Sequence, residues 1–350
     1  MAKILNTELF ERMVSEGFIS QRKHPLFDLY ILNYTKECQY SRTWNDVTTV
    51  CRGLIVDAEG NIVSRPYKKF FNFEEIEDKT EIPNGKFDIY EKIDGTLGIS
   101  YIDPNGNVGI ATRGSFDSDQ AVWASKWIKG NPFETVIKDN PNYTFLFEIV
   151  IPWDKKIVNY HGEEALVLTG VIKTEDASEL PIENFANMGV DIAKKYEGIT
   201  DWTKVREIYN GDNREGFVVK FANNYRVKMK YESWFRLNLI KSGLSVKRIL
   251  ETIINGDELS VLKVIGELDE EDIIYYKKIF KDVYALYNEI MIDSMIEYRD
   301  FDTDKEAAEY FLKCKYPAVM FNIRKGKNPS TVIWKIVKRN FKVETHTYED

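Results

Sequence analysis

The chain has 350 residues, of which 43% are hydrophobic and 30% are charged, and its formal net charge at pH 7 is -8. This composition is typical of a soluble globular protein and excludes a disordered or membrane-spanning chain. The acidic balance also excludes a general excess of Lys and Arg, so any surface that binds a polyanion must be local.

Along the chain, the spacing of hydrophobic residues changes several times. Residues 3–17 fit an amphipathic helix that Gly17 could terminate, and short strands separated by turns follow from Cys51 to about Lys230. Asn105-Gly106 and Asn223-Asn224 can supply the positive φ angles of tight hairpins. Helices are predicted at 117–129 and 182–195, and antiparallel pairs at 97–112 and 216–230. The predicted strands are 53–56, 62–64, 87–93, 97–102, 108–112, 145–150, 165–171, 216–221 and 225–229.

After Trp234 the pattern becomes helical, with helices predicted over 246–254, 259–265 and 273–298. We therefore predict an α+β fold, with an antiparallel-sheet domain at 1–242 followed by a mostly α-helical C-terminal domain at 243–350. The boundary falls near Ser242-Gly243. Basic residues without an acid between them run from Lys313 to Lys342, and they form either a solvated face or a surface that contacts RNA.

The cysteines and histidines limit the chemistry that the chain can perform. Cys38, Cys51 and Cys314 lack Cys-x-x-Cys spacing, which indicates reduced thiols without a disulfide framework or a zinc site. The three histidines are scattered, so neither a histidine metal centre nor a Ser/His/Asp triad is expected. The first thirty residues lack a signal-peptide core, and no stretch is long enough to span a bilayer. A cytoplasmic location is therefore expected.

The central motif is Lys92-x-Asp94-Gly95, a lysine at a strand end followed by an acid and a turn glycine. A lysine nucleophile must lose a proton, although its ordinary pKa is about 10.4. Nearby positive charge would lower that pKa, and period-two alternation points Lys228 and Lys230 to one strand face that could supply it. The alternatives are a surface hairpin at the motif and a merely solvated face at the two lysines.

Two acids accompany the apolar strands on either side. Glu148 interrupts the apolar run 145–150, where an unpaired carboxylate is costly, so it faces solvent, pairs with an Arg, or faces a metal or nucleotide pocket. Glu215 precedes Gly216, which could permit close approach of the backbone to a ligand. Val218 is either a core residue or lies against an adenine ring.

Two further strings contain cations: Cys51-Arg52-Gly53 leads into a strand, and Ser64-Arg65-Pro66-Tyr67-Lys68-Lys69-Phe70-Phe71-Asn72 places cations next to aromatic residues. Such pairs suit the phosphates and the base of a nucleotide. Each string alone is more often ordinary packing with surface charge. Their order and spacing along the chain are what favour a nucleotide site.

In chain order these motifs resemble those of the covalent nucleotidyltransferase superfamily. The set comprises Arg52-Gly53, Lys69-Phe70-Phe71-Asn72, Lys92-x-Asp94-Gly95, Phe147-Glu148, Glu215-Gly216 and Lys228-x-Lys230. Three narrower features resemble the phage-type RNA ligase 1 family: Ser64 to Asn72, Arg113-Gly114-Ser115, and Phe147-Glu148 followed by Pro152 and Ile157-Val158. The resemblance covers nearly the whole chain and is strongest over 50–235. Arg113 stands where that family usually has Lys, and Trp234 where a tyrosine is expected.

This resemblance implies an ATP-dependent RNA ligase that joins 3′-hydroxyl and 5′-phosphate ends through a lysyl-AMP intermediate on Lys92. Asp94 and Gly95 would shape the turn of the nucleophile, and the other candidates would bind ATP and metal ions. Arg52, Lys69 and Arg113 would contact the triphosphate or the leaving pyrophosphate, and Lys228 and Lys230 would contact the α-phosphate. Glu148 and Glu215 would bind Mg²⁺ (or Mn²⁺), directly or through water. Phe71 and Val218 would line the nucleoside pocket, and Glu91 and Gly216 would contribute to nucleotide binding in general.

The implied partner is RNA, with a cleaved tRNA as one candidate substrate in RNA repair, and an end-healing enzyme could prepare its termini. The helical domain would act in the choice of RNA ends, and a monomer without a membrane partner is expected. Alternatives are a DNA ligase or a capping-type nucleotidyltransferase, and an RNA-binding module that has lost catalysis. The helical region after Lys230, where no obvious oligonucleotide-binding barrel follows, argues against the first two, and the intact motif residues argue against the third.

Overall fold

The computed structural model describes Lys3 and residues 6–154, 156–209, 211–234, 237–238, 246–256, 258–265 and 270–341. The chain divides after Trp234 into two compact units. The domain boundary expected near Ser242-Gly243 lies outside the described residues.

The strands all belong to the first unit. They are β1 (Ile19–Lys23), β2 (Leu29–Tyr34), β3 (Arg52–Asp57), β4 (Ile62–Ser64), β5 (Phe71–Asn72), β6 (Phe87–Lys92), β7 (Thr96–Ile102), β8 (Val108–Ala111), β9 (Tyr143–Val150), β10 (Ala165–Lys173), β11 (Glu179–Leu180), β12 (Asp191–Ile192), β13 (Lys195–Tyr196), β14 (Gly216–Phe221) and β15 (Arg226–Lys230).

These strands form mostly antiparallel sheets, in which only the β10–β12 and β15–β5 pairs are parallel. The first sheet has the order β1-β2-β3-β4, the second β11-β10-β9-β7-β8 with β12 beside β10, and the third β13-β6-β14-β15-β5. Both predicted hairpins are antiparallel pairs, and Gly106 and Asn224 in their turns have φ of +81° and +64°. The α+β fold class predicted from the sequence is confirmed.

The helices of the first unit are short and begin at side chains that cap them. Ser118 accepts a hydrogen bond from the backbone of Ala121 at the start of one helix, and Asn131 caps the next, which has Pro132 in its first turn. The helices are α1 (Thr7–Ser15), α2 (Lys36–Tyr40), α3 (Asp119–Ile128), α4 (Pro132–Asp139) and α5 (Val205–Ile208), with 3₁₀ turns at Phe73–Glu75, Lys79–Glu81, Ile182–Phe185 and Trp202–Lys204.

Two predicted helices differ from the structure. The first begins at Thr7 rather than at residue 3, and Lys3 instead pairs with Asn61. The helix predicted at 182–195 is wrong, because a 3₁₀ turn is followed by β12 and β13. Asn187 and Gly189 have φ of +62° and +105°, which a continuous right-handed helix cannot contain. The sequence analysis also missed β1, β2 and α4.

The second unit is helical, as predicted, and is packed around its own apolar core. Ile279, Val283 and Ile290 of its longest helix are buried with Val319 and Ile333. Its helices are α6 (Val246–Ile254), α7 (Glu258–Ile265), α8 (Glu270–Glu297), α9 (Asp304–Phe311), α10 (Pro317–Arg324) and α11 (Ser330–Asn340). Throughout the described ranges, no helix combines the length and the apolar character needed to cross a bilayer.

Part of the basic stretch of the second unit is neutralised by acids. Lys315 pairs with Glu289 at 3.2 Å and with Asp293 at 2.8 Å. Arg324 pairs with Asp304 at 2.8 Å, and Lys338 with Glu251 at 3.1 Å. The exposed residues of this stretch that form no ion pair in the described chain are Lys313, Lys325, Lys327, Lys335 and Arg339. Lys342 lies outside the described residues.

Candidate active site

Strand pairing places three lysines on one face of the third sheet. Gly216 in β14 lies opposite Lys92 in β6 on one side and opposite Lys230 in β15 on the other. Two residues further along β14, Val218 lies opposite Lys228. Residues directly opposite each other project from the same face. Lys92, Lys228, Lys230 and Val218 therefore share a face, as the alternation predicted for the two lysines of β15.

Glycine is required at position 216 by the backbone. Its φ is +149°, and a Cβ added there would lie 2.2 Å from the carbonyl oxygen of Met229. A side chain would therefore force β14 and β15 apart. Gly216 allows these strands to pair directly after Glu215.

Glu215 joins two of the three lysines. Its Oε2 accepts a hydrogen bond from Lys92 Nζ at 2.7 Å, and its Oε1 lies 2.7 Å from Lys230 Nζ. The Glu215 side chain is only 3% exposed, and the side chains of Lys92 and Lys230 are 18% and 13% exposed. Ion pairs this deeply buried interact more strongly than surface pairs. The structure thus makes Glu215 the shared counter-ion of both lysines.

The protonation of Lys92 differs from the sequence prediction. Burial alone lowers the pKa of its ammonium, but the charges of Glu215 and Glu148 outweigh burial and raise the pKa of Lys92 above its ordinary value. The expectation that the pKa of Lys92 is lowered is therefore wrong, because the nearby carboxylates raise it. The physical reason is distance, because the Glu215 carboxylate touches Lys92 and also pairs with Lys230.

Of the three lysines on this face, Lys228 has the most strongly depressed pKa. Burial lowers its pKa well below the ordinary value, and the charges of Arg52, Lys92 and Lys69 add to that effect. Its Nζ lies 4.6 Å from the centre of the Phe70 ring, and it forms no ion pair with a described residue. Lys228 is therefore a buried lysine without a counter-ion among the described residues.

Glu148 faces the same lysines from the second sheet. Burial raises the pKa of its carboxyl to about 7, and the negative charges of Glu215 and Asp94 contribute, although Lys92 acts in the opposite sense. Its Oε1 accepts a hydrogen bond from the backbone N–H of Gly95 at 3.1 Å. Of the alternatives that the sequence left open, the structure favours a carboxylate directed into the lysine cluster.

Gly95 allows the turn after Lys92 to approach this strand. A Cβ added at Gly95 would lie 2.5 Å from the carbonyl oxygen of Ile149 and 2.8 Å from Cγ of Glu148. No other residue type fits without displacing β9. The glycine of the motif thus brings the Lys92 turn into contact with Glu148.

Asp94 is fixed by a network of hydrogen bonds. Its Oδ2 accepts bonds from the backbone N–H groups of Ile157 at 2.8 Å and Val158 at 3.0 Å, and from the Trp234 indole N–H at 3.1 Å. Its own N–H donates to the Tyr160 hydroxyl at 2.8 Å. Burial, followed by the Glu215 charge, raises the pKa of Asp94. The Ile157-Val158 string noted in the sequence therefore supplies backbone donors to the motif acid.

A second group of cations surrounds the Tyr34 hydroxyl. Arg113 Nη1 donates to this hydroxyl at 3.1 Å, and Lys69 Nζ lies 5.6 Å from the centre of the Tyr34 ring. Burial raises the pKa of Tyr34, but Arg113, Lys69 and Arg52 together lower it below its ordinary value. Nη1 of Arg52 is buried without a hydrogen-bond partner in the described part of the chain. We call Arg52, Lys69, Arg113 and Lys228 the cation cluster.

Two predicted residues lie elsewhere than expected. Glu91 is opposite Phe217, a core residue on the other face of the sheet from Lys92, so its side chain is not brought together with the lysines. The Phe71 ring packs against Trp44 at 5.7 Å and lies 5.3 Å from Lys69 Nζ. Phe71 therefore lies beside Lys69 and Val218 beside Lys228, and both lysines belong to the cation cluster.

The cations and carboxylates of this site can be compared with the groups that bind a polyphosphate and a metal ion. The cation cluster, with the orphaned Arg52 Nη1, fits an anionic ligand with several phosphates. Glu148 fits a cation, because burial and the charges of Glu215 and Asp94 disfavour its ionisation, although Lys92 opposes them. Glu215 is engaged by two lysines, and no group of three or more potential metal ligands is assembled within the described residues.

The sequence analysis missed several residues of this site. Tyr34 and Trp44 precede every motif that was assigned, and no pattern in the sequence marks them. Tyr160 and Trp234 contact Asp94 from positions 66 and 140 residues away in the chain, and only Trp234 was noticed, as a departure from tyrosine. Contacts between residues so far apart in the sequence leave no periodic signal.

The overall fold is similar to that of a solved archaeal ATP-dependent RNA ligase. The TM-score is 0.51 with 12% sequence identity, and the match covers 93% of this chain and 88% of that chain. At this identity the likeness establishes the fold alone. The chain therefore shares its overall fold with that ligase.

The profile of the phage RNA ligase 1 family, described as RNA ligase, matches residues 50–237, and the chain belongs to this family. A candidate RNA ligase of Thermovibrio ammonificans is 30% identical over 180 residues, which cover 48% of this chain and 46% of that protein. An RNA ligase of Rhodothermus phage RM378 is 21% identical over 349 residues, which cover 78% of this chain and 77% of that protein. The chain thus spans less than half of the first relative's length.

Proposed function

We propose that this protein is an ATP-dependent RNA ligase that joins 3′-hydroxyl and 5′-phosphate ends through AMP bound covalently to Lys92. Membership of the RNA ligase family supports the class of reaction. The observation that carries the proposal is the position of Lys92, which contacts Glu215 at 2.7 Å on the same sheet face as the unpaired Lys228. A nucleophile next to uncompensated cations suits attack on a phosphate.

In the first step Lys92 must lose a proton. Glu215 Oε2 already accepts a hydrogen bond from its Nζ and is the group placed to take that proton. The neutral amine then attacks the α-phosphorus of ATP, a nitrogen–phosphorus bond forms, and the bond between the α-phosphorus and the bridging oxygen breaks. Pyrophosphate leaves, and lysyl-AMP remains on the protein.

The cations would stabilise the charge that develops on the phosphates. We assign Lys228 and Lys230 to the α-phosphate, and Arg52, Lys69 and Arg113 to the pyrophosphate. Glu148, and Glu215 through water, would hold a divalent cation such as Mg²⁺ or Mn²⁺. That cation would supply charge neutralisation on the leaving pyrophosphate.

In the second step an oxygen of the RNA 5′-phosphate attacks the AMP phosphorus, and the bond to Lys92 breaks. In the third step a 3′-hydroxyl attacks the activated 5′-phosphate, a phosphodiester forms, and AMP leaves. We propose RNA repair as the setting, with cleaved tRNA as a candidate substrate and a separate end-healing enzyme as supplier of suitable ends. The exposed basic residues of the second unit, such as Lys335 and Arg339, are candidates for RNA contact. A cytoplasmic monomer is the proposed form.

Labelling with ATP that carries the label at the α-phosphate tests this proposal. Wild-type protein with Mg²⁺ should acquire a covalent label, and mass spectrometry should find AMP on Lys92. Lys92→Ala should lose both the label and RNA sealing. Lys129→Ala, which removes an exposed lysine far along the chain from the motif, is the matched control and should label normally. An unlabelled wild type would indicate a binding module, and labelling of Lys92→Ala would refute the assignment.

A second assay identifies the substrate. Single-stranded RNA, nicked duplex RNA and nicked DNA, each with a 5′-phosphate, are offered to the labelled protein. Sealing of either RNA supports the proposal. Sealing of DNA alone would indicate a DNA ligase, and transfer of guanylate to a 5′-diphosphate RNA would indicate a capping enzyme.

A further inference from the structure

An aromatic frame surrounds Lys69 and contains two residues outside the family match. We define the frame as Tyr34, Trp44 and Phe71. Tyr34 ends β2 and Trp44 follows α2, so both precede residue 50, where the family profile begins to match. The N-terminal segment therefore contributes directly to the surroundings of a proposed phosphate-binding cation.

The three rings interlock edge to face. The Tyr34 and Trp44 ring centres are 5.0 Å apart at 90°, and those of Trp44 and Phe71 are 5.7 Å apart at 71°. Lys69 Nζ lies 5.6 Å from the Tyr34 centre, 5.3 Å from Trp44 and 5.3 Å from Phe71. Cations within about 6 Å of a ring centre are attracted by its electrons. Lys69 is thus held by three rings together.

Tyr34 also contacts a second cation. Its hydroxyl accepts a hydrogen bond from Arg113 Nη1 at 3.1 Å, and its ring centre lies 5.2 Å from the Arg113 guanidinium carbon. Its backbone N–H donates to the carbonyl of Cys51 at 2.7 Å, which fixes Tyr34 beside Arg52. The residue is only 5% exposed. Tyr34 therefore links all three cations assigned to the pyrophosphate.

Aromatic rings can position a cation without neutralising it. Lys69 forms no ion pair with a described residue, whereas the Lys92 and Lys230 ammonium groups are each compensated by Glu215. A carboxylate beside Lys69 would compete with a phosphate for the same charge. Rings hold the flexible side chain in place and leave its full charge available to an anion.

From this arrangement we infer that Tyr34 and Trp44 are positioning residues that direct Lys69 and Arg113 toward the β- and γ-phosphates of ATP. The inference rests on the proposed function. Pyrophosphate leaves in the first step, so these residues serve lysyl-AMP formation and not the later sealing of RNA that already carries AMP. Comparing lysyl-AMP formation with the sealing of pre-adenylated RNA in the same variant therefore distinguishes a positioning role from a general effect on packing.

The experiment compares both activities in matched variants. Tyr34→Phe keeps the ring and removes the hydroxyl, Trp44→Phe keeps a ring, and Trp44→Leu removes it. Tyr40→Phe, at a tyrosine that is 79% exposed nearby in the sequence, is the control. Each variant is assayed for lysyl-AMP formation against ATP concentration and for sealing of pre-adenylated RNA. Binding of ATP and of AMP is measured by calorimetry.

We expect Tyr34→Phe and Trp44→Leu to raise the KM and the Kd for ATP by roughly tenfold, the size expected for loss of one partly desolvated cation–ring or hydrogen-bond contact. Trp44→Phe should recover most of this loss. AMP binding and sealing of pre-adenylated RNA should change less than about twofold. Tyr40→Phe should match the wild type in every assay.

Two results would overturn the inference alone. One is a KM for ATP that is unchanged in both Tyr34→Phe and Trp44→Leu. The other is an equal loss of lysyl-AMP formation and of pre-adenylated RNA sealing, which would indicate damaged packing. A wild type that neither forms lysyl-AMP nor seals pre-adenylated RNA would instead refute the proposed function, and the inference with it.

Discussion

Glu148 is a carboxylate whose ionisation opposes folding. Burial, together with the charges of Glu215 and Asp94, raises its pKa from an ordinary 4.5 to about 7, although Lys92 acts in the opposite sense. Between these two values the folded protein retains a proton that the unfolded chain has lost. The free energy of unfolding should therefore fall as the pH rises from 4.5 to 7 and then level off.

The magnitude follows from the difference between the two pKa values, which is 7 minus 4.5, or about 2.5 units. Each unit corresponds to about 1.4 kcal/mol, so ionised Glu148 lowers the free energy of unfolding by about 3 kcal/mol. Glu148→Gln imitates the protonated side chain. The variant should match the wild type at pH 4 and exceed its stability by about 3 kcal/mol at pH 8.

Urea denaturation followed by tryptophan fluorescence, repeated between pH 4 and pH 8, measures this difference. Other groups that titrate in the same range, such as His24, are common to both proteins and cancel on subtraction. Glu134→Gln is a control of opposite sign, because a hydrogen bond from the Gly130 backbone and the neighbouring Lys138 lower the pKa of Glu134. The same Glu148→Gln protein should fail to form lysyl-AMP. Parallel stability curves for wild type and Glu148→Gln would refute the reasoning.

Three other substitutions have defined outcomes. Lys228→Ala should slow lysyl-AMP formation by at least about 100-fold in a labelling assay without lowering the urea midpoint, because it removes a buried amine that has no counter-ion among the described residues; a wild-type rate would contradict the phosphate role. Trp234→Phe keeps a ring over Lys230 but loses the hydrogen bond from the indole N–H to Asp94, so RNA sealing should slow by about tenfold in a gel assay. An unchanged rate would show that this bond is dispensable. Gly95→Ala should lower the free energy of unfolding by about 1–3 kcal/mol in urea denaturation, because its Cβ would meet a carbonyl oxygen at 2.5 Å; full stability would mean that β9 moves freely.

Local patterns predicted most of the strands that build the site. Alternation and turn residues identified β14 and β15 and their antiparallel pairing, because each property is encoded within a few residues. The helix predicted at 182–195 failed for a different reason. Ile192 pairs with Leu168 of β10, and Lys195 with Tyr90 of β6, so partners distant in the sequence decide the structure of that segment. Tertiary pairing overrides a local helical pattern in such cases.

Motif residues were likewise easier to predict than the contacts that fix them. The acid and the glycine after Lys92 were expected to shape its turn, and Gly95 does lie against β9. The donors to Asp94 come from Ile157, Val158 and Trp234, which are 63, 64 and 140 positions away. A sequence shows which side chains need partners, but separations of this length leave the identity of the partners to the fold.

The charge on Lys92 illustrates the same limit in energetic terms. Alternation along β15 correctly placed Lys228 and Lys230 on one face, and Coulomb repulsion from them would indeed favour a neutral amine. Whether the pKa of Lys92 is raised or lowered depends, however, on Glu215, which is 123 residues away in the sequence. Glu215 reaches Lys92 because Gly216 allows β14 to pair between β6 and β15. A contact at 2.7 Å outweighs more distant charges, since interaction energy falls with separation. The Glu215 contact therefore favours the protonated form of Lys92, and the proposed mechanism requires that proton to be transferred before the amine attacks ATP.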